Sequence, residues 1–208
     1  MGGVAVAGLL ASSAIAQTVV YDNTQTPLNS YYASQSEFGD QVSIGGGGWF
    51  LHSISFEYFA NGLQGGETAV LRIYENNGVP TGISGSQAPG GLLYQSPVIP
   101  LSNGNVPITI TDLANLGIAL PNTFTWTIVP VGVSGTEVFG LNLYDPPATG
   151  SSFDDLWRFG ASGWELATIA GVNANFGALI VAVPEPGVGA LLAVGGLALA
   201  LRRRSSKR

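Results

Sequence analysis

The sequence predicts an all-β protein: a β-sandwich of jelly-roll type with about eight to ten strands, flanked by an N-terminal signal peptide and a C-terminal transmembrane helix. Three observations predict it. Glycine supplies 30 of 208 residues and charged residues only 10%, beside abundant Thr, Ser, Asn and Val. That mix suits short strands joined by glycine turns, whereas soluble helices draw on Ala, Leu, Glu and Lys. Apolar residues recur with period two along several segments, and no amphipathic stretch exceeds about two helical turns.

Residues 1–16 are small and apolar, with Val4, Val6, Leu9 and Leu10, and they finish in Ala14-Ile15-Ala16. This is an A-x-A site that signal peptidase would cut before Gln17, with Ala14 and Ala16 as its small residues. The usual basic opening is missing at Met1-Gly2-Gly3, which leaves a buried first strand as the other reading. Strand-like residues begin only at Thr18-Val19-Val20-Tyr21, and this favours the signal peptide.

Residues 17–183 read as the β domain. Thr123-Phe124-Thr125-Trp126-Thr127-Ile128 alternates strictly, threonines on one face and large apolar groups on the other, as in a half-buried strand. Ile54, Phe56 and Tyr58 share a face in the same way. Residues 69–74, 92–99, 106–111, 138–144 and 176–183 also read as strands. Asn76-Asn77-Gly78, Ala88-Pro89-Gly90-Gly91, Asn103-Gly104 and Asp145-Pro146-Pro147 supply turns between them. The order of residues 49–60, 68–75 and 92–94 is also similar to jelly-roll domains of other surface-anchored bacterial proteins.

The C-terminal segment, residues 184–208, has three parts in order: Pro184-Glu185-Pro186, an uncharged run over 187–201, and a basic tail over 202–208 that opens with Arg202-Arg203-Arg204. The two prolines break the chain between domain and helix. The arginines fit a cytoplasmic stop-transfer tail. The run is short for a membrane span: 15 residues reach about 22 Å against about 30 Å of hydrocarbon, and snorkelling arginines or local thinning could cover part of the gap. This triplet resembles the PEP-CTERM sorting signal. The resemblance implies export, recognition by an exosortase through Pro184, Glu185 and Pro186, and a surface or extracellular role in an exopolysaccharide-producing Gram-negative bacterium. It speaks to sorting and leaves the ligand of the β domain open.

Charge excludes some partners. Between Gln17 and Val183 stand twelve acids against Arg72 and Arg158, a net of −10. Such a surface repels nucleic acid; it serves solubility or binds cations. With no cysteine there is no disulfide, thiolate metal site or thiol nucleophile. His52, the single histidine, lies in an apolar strand with no catalytic partner in view, and the nucleophile-elbow and phosphate-loop patterns are absent. Asp154-Asp155 is the best carboxylate cluster. It admits solvated loop acids, calcium ligands acting with nearby carbonyls, or a hydrolase acid. Trp157 and Trp164 bracket it and read either as core anchors or as sugar-stacking platforms; Trp49 reads the same way. The expected role is a non-enzymatic surface or matrix protein associated with exopolysaccharide. The alternatives are a carbohydrate-binding module and a glycan hydrolase.

Overall fold

The computed structural model describes residues 16–79 and 87–185. Ala14, Pro186, the run over 187–201 and Arg202, Arg203 and Arg204 lie outside the described residues, as does almost all of the N-terminal segment. In chain order the strands are β1 (Thr18–Asp22), β2 (Pro27–Ala33), β3 (Phe38–Ser43), β4 (Trp49–Asn61), β5 (Thr68–Glu75), β6 (Leu92–Gln95), β7 (Ile99–Pro100) and β8 (Gly104–Ile110). They continue with β9 (Ala119–Leu120), β10 (Thr123–Val131), β11 (Val138–Tyr144), β12 (Ser151–Ser152), β13 (Leu156–Gly160), β14 (Gly163–Ala167) and β15 (Ala178–Pro184). The helix among the described residues is a 3₁₀ turn, Leu113–Leu116.

The strands form two antiparallel sheets. One runs β1-β15-β4-β11-β2, with β8 and β9 also on β4. The other runs β14-β13-β3-β10-β5-β6, with β12 on β3 and β7 on β5. The first sheet is organised by β4. Its Ile54 pairs with both Ile180 and Ile110, so β15 and β8 flank it. Alternate residues of β4 point inward, and Leu51, Ile54, Phe56, Tyr58 and Ala60 are buried. The step from Leu51 to Ile54 breaks the period because β4 bulges there: Leu51 faces Ala182 and Ser53 faces Val181, which leaves His52 as the extra residue. His52 Nδ1 is buried with no hydrogen-bond partner.

The sheets meet face to face. Phe56 packs on Trp126 with ring centroids 5.9 Å apart, and Phe38 packs on Phe139 and Phe176 at 6.4 and 5.7 Å. Leu71, Ile73, Phe124 and Ile128 from one sheet join Leu141, Ile180 and Ala182 from the other in one core. Close backbone approach helps to seat the second sheet. A Cβ on Gly39 would lie 1.9 Å from the Trp126 carbonyl oxygen across the ladder, so this strand position takes only glycine.

Two sequence expectations change. β10 is not half-buried: Thr125 and Thr127 are as buried as Phe124 and Trp126. A polar layer covers their face. Thr127 donates to Glu37 Oε1 at 2.7 Å, and Glu37 also accepts from Tyr74 and Arg72 at 2.9 Å each. Thr125 donates to Asn76 Oδ1 at 2.8 Å. The strands are also more numerous than eight to ten, because β2, β3, β13 and β14 join those read from alternation and the expected strand over 92–99 divides into β6 and β7.

Candidate functional site

The chain enters and leaves the sandwich side by side. β1 pairs antiparallel with β15, and Thr18 faces Ala182. β15 then extends through Pro184, which pairs with Trp49, one residue beyond the expected domain end. The backbone N–H of Glu185 donates to the Gly48 carbonyl at 2.7 Å. Gly48 has φ +69, and the Glu185 carboxyl group lies beside its Cα. Pro184 and Glu185 are thus seated on the glycine-rich segment that precedes β4. Ala16 and Gln17, at the expected cleavage point, are exposed beside this exit.

At the other end of the first sheet lies a groove of about 380 Å³, within the range of small-ligand sites. The last third of β4 provides Glu57 and Phe59, β8 provides Asn105, β11 provides Asn142 and Tyr144, and β2 provides Asn29, Ser30 and Tyr31. Tyr31 is 44% exposed and stacks on Phe59, with centroids 4.5 Å apart and planes 29° apart. This gives a flat aromatic platform fixed from beneath. Asn142 Nδ2 donates to Asn105 Oδ1 at 3.1 Å, which leaves its own oxygen and the Asn105 amide nitrogen turned to other partners. Tyr144 donates its hydroxyl proton to Glu57 Oε2. Burial first, then the Glu57 carboxylate, pushes the Tyr144 phenol up to about 12, so it stays a donor at neutral pH. A smaller cavity of about 230 Å³ shares Glu57 and Tyr144 and adds Thr24, Ser55 and Pro107.

The acids predicted from sequence gather elsewhere, where the segments after β1, β11 and β12 meet the segment before β15. Asp154 is exposed, and Asn175 Nδ2 reaches its Oδ1 at 3.5 Å while donating to Asp145 Oδ1 at 2.7 Å. Asn173 Nδ2 donates to the other Asp145 oxygen at 2.8 Å. The charge of Asp155 is felt by the carboxyl group of Asp40. Burial and then Asp154 hold the Asp155 carboxyl above its usual range. Asp40 is fully buried, bound by the Ser152 hydroxyl at 2.7 Å and the Phe176 N–H at 3.2 Å. Burial pushes its carboxyl well above the usual range, and burial likewise raises the neighbouring Tyr21 phenol. Tyr21 Oη, Asn23 Oδ1 and Asn175 Oδ1 are buried here with no hydrogen-bond partner. No group of three or more His, Cys, Asp or Glu side chains stands at metal-binding spacing among the described residues.

Trp157 and Trp164 sit on the second sheet. Trp157 is 0% exposed and donates its Nε1 proton to Gln41 Oε1 at 3.0 Å, so it is an anchor and offers no face to a sugar. Trp164 is half-buried, edge-on to Tyr74 at 5.6 Å and to Phe159 at 5.2 Å. The groove aromatics Tyr31, Phe59 and Tyr144 were not legible as a site, because β2, β4 and β11 become neighbours only through the sheet order. Comparison with family models, with curated proteins and with solved structures gives no match.

Proposed function

We propose that this chain is an exported protein, sorted to the cell surface by an exosortase through its Pro-Glu-Pro segment, whose jelly-roll domain binds exopolysaccharide in the Tyr31 groove without cleaving it. One observation carries the reading: the termini and the groove occupy opposite ends of one sheet. Trp49 of β4 pairs with Pro184 at the exit, whereas Glu57 and Phe59 line the groove further along the same strand. At about 3.3 Å per strand residue the two are separated by roughly 25 Å. A domain tethered by residues following Glu185 therefore presents the groove outward, away from the membrane.

The groove's chemistry suits a sugar. A pyranose ring offers apolar C–H groups to an aromatic face and hydroxyls to amides and carboxylates, and Tyr31 with Asn29, Asn105, Asn142 and Glu57 supplies both kinds of partner. Glycoside hydrolysis uses two carboxyl groups across the scissile bond. Glu57 is the one carboxylate among the described residues lining the groove, and it is held by Tyr144, which supports binding over cleavage.

Affinity electrophoresis and glycan arrays with the full chain test the proposal. Retention by an acidic or neutral polysaccharide is expected, weakened about tenfold in Tyr31→Ala, equivalent to ~1.4 kcal/mol, and in Asn142→Ala, with Trp164→Ala unchanged. Binding that survives Tyr31→Ala but is lost in Trp164→Ala moves the site to the second sheet and overturns the groove assignment.

A further inference from the structure

Taking the Tyr31 groove as the sugar site proposed above, we infer that it holds consecutive uncharged sugar residues of a chain and turns away polysaccharides that carry carboxylates or sulfates. β4 sets the track. Ile54, Phe56 and Tyr58 point into the core, so Ser55, Glu57 and Phe59 stand on the outer face. On β8 they pair with Thr109, Pro107 and Asn105. From Ser55 to Phe59 this track runs about 13 Å, at about 3.3 Å per strand residue. The groove of about 380 Å³ covers the Phe59 part, and the cavity of about 230 Å³, bounded by Thr24, Ser55, Pro107 and Gly177, covers the Ser55 part. Glu57 and Tyr144 line both, so their hydrogen bond is the saddle between two adjoining subsites. Gly177 seats that saddle: a Cβ there would lie 2.5 Å from two carbons of the Tyr144 ring. One sugar ring on the Tyr31 platform leaves the second cavity to its neighbour in the chain.

Charge narrows the class of sugar. Glu57 is the one charged side chain among the described residues lining either cavity. At the far end Thr24 donates to Asp22 Oδ1 at 2.7 Å, which sets a further negative charge behind the second cavity. The two arginines of the described residues lie on the second sheet, Arg72 held by Glu37 and Arg158 by Glu165. Recognition of an acidic sugar draws on a cationic partner, and none faces the track. A carboxylate or sulfate on the chain would instead meet Glu57, and like charges about 4 Å apart near a protein surface repel enough to weaken binding about tenfold or more. Neutral hydroxyls meet no such barrier, so Glu57 selects by rejection as well as by accepting hydrogen bonds.

Affinity electrophoresis of the full chain through a galactomannan, a glucomannan and a dextran, each beside its carboxymethyl derivative, tests this. Retention by at least one neutral polysaccharide is expected, weakened about tenfold by carboxymethylation, with Glu57→Gln recovering most of that loss. Calorimetry with oligosaccharides of the retained polysaccharide should show affinity rising about tenfold from the single sugar to the trisaccharide. Gly177→Ala, which displaces the Tyr144 ring, should remove that gain. Circular dichroism checks folding, and Glu57→Gln, of nearly the same shape, keeps the charge test open if Gly177→Ala does not fold. Equal or stronger retention by the carboxymethyl form, lost in Tyr31→Ala, overturns the inference and leaves the groove as a sugar site. Affinity that does not rise with chain length overturns the paired subsites. Retention by none of the six, or retention that survives Tyr31→Ala, overturns the inference and the groove reading together.

Discussion

Asp40 shows how one residue can be invisible in a sequence and decisive in a fold. It occupies an inward position of β3 between Phe38 and Val42, where the alternation calls for an apolar side chain. Its acid breaks the pattern, so β3 was not legible as a strand, yet Ser152 and the Phe176 N–H accommodate it. Its raised folded-state pKa has a definite sign. The folded chain holds the proton more tightly than the unfolded chain, so this contribution to stability is full below the unfolded value of about 4 and is lost as pH rises through the folded value. Urea unfolding in chelator should therefore show stability falling with rising pH from about 4, and Asp40→Asn should flatten that slope. A slope unchanged in the variant would place the titrating group elsewhere. Trp157 gives a second prediction at this scale. Trp157→Ala should cost about 3–5 kcal/mol by chemical denaturation, because it empties a fully buried site and leaves the Gln41 amide oxygen without its donor. Tyr31→Ala, on an exposed platform, should cost under about 1 kcal/mol.

At the scale of elements, the strands with clean alternation were legible: β4 from Ile54, Phe56 and Tyr58, and the central part of β10 from its Thr and aromatic residues. β2 was not, because Pro27 to Ala33 are nearly all exposed and carry no apolar stripe; only pairing with β11 makes it a strand. The candidate sites follow the same rule. Asp154 and Asp155 stood out as neighbours in sequence, but Asp145, Asn173 and Asn175 join Asp154 only because the end of β11 meets the segment before β15, bridged at Leu143 and Phe176. Gly39 tests the tight crossing of β3 and β10. A methyl group there would meet backbone atoms, which cannot rotate away. Gly39→Ala should destabilise by more than about 4 kcal/mol, the range kept for such overpacking, or prevent folding. Gly45→Ala, with open space around it, should be near neutral. Comparable unfolding midpoints for the two variants would show that the ladder spreads at this point.

At the scale of the whole molecule, the proposed account rests on polarity from one end to the other. The chain enters at β1 and leaves at β15 side by side, Pro184 and Glu185 are seated against Trp49 and Gly48, and the groove and the acidic cluster lie away from that exit. The seating of Glu185 adds a physical element to the sorting proposal: the sandwich itself presents the start of the motif, so recognition would read a folded edge followed by an extended segment. Glu185→Ala should leave an uncut precursor in the inner membrane, whereas Arg72→Ala, which breaks an ion pair with Glu37 on the far sheet, should be processed normally. The most direct test is the intact mass of the protein recovered from its native cell surface. The account predicts a species that begins at Gln17 and ends near the Pro-Glu-Pro motif, lacking residues 1–16 and the segment that follows the motif. A surface form that still carries Arg202 to Arg208 would contradict it and make the C-terminal segment a plain anchor.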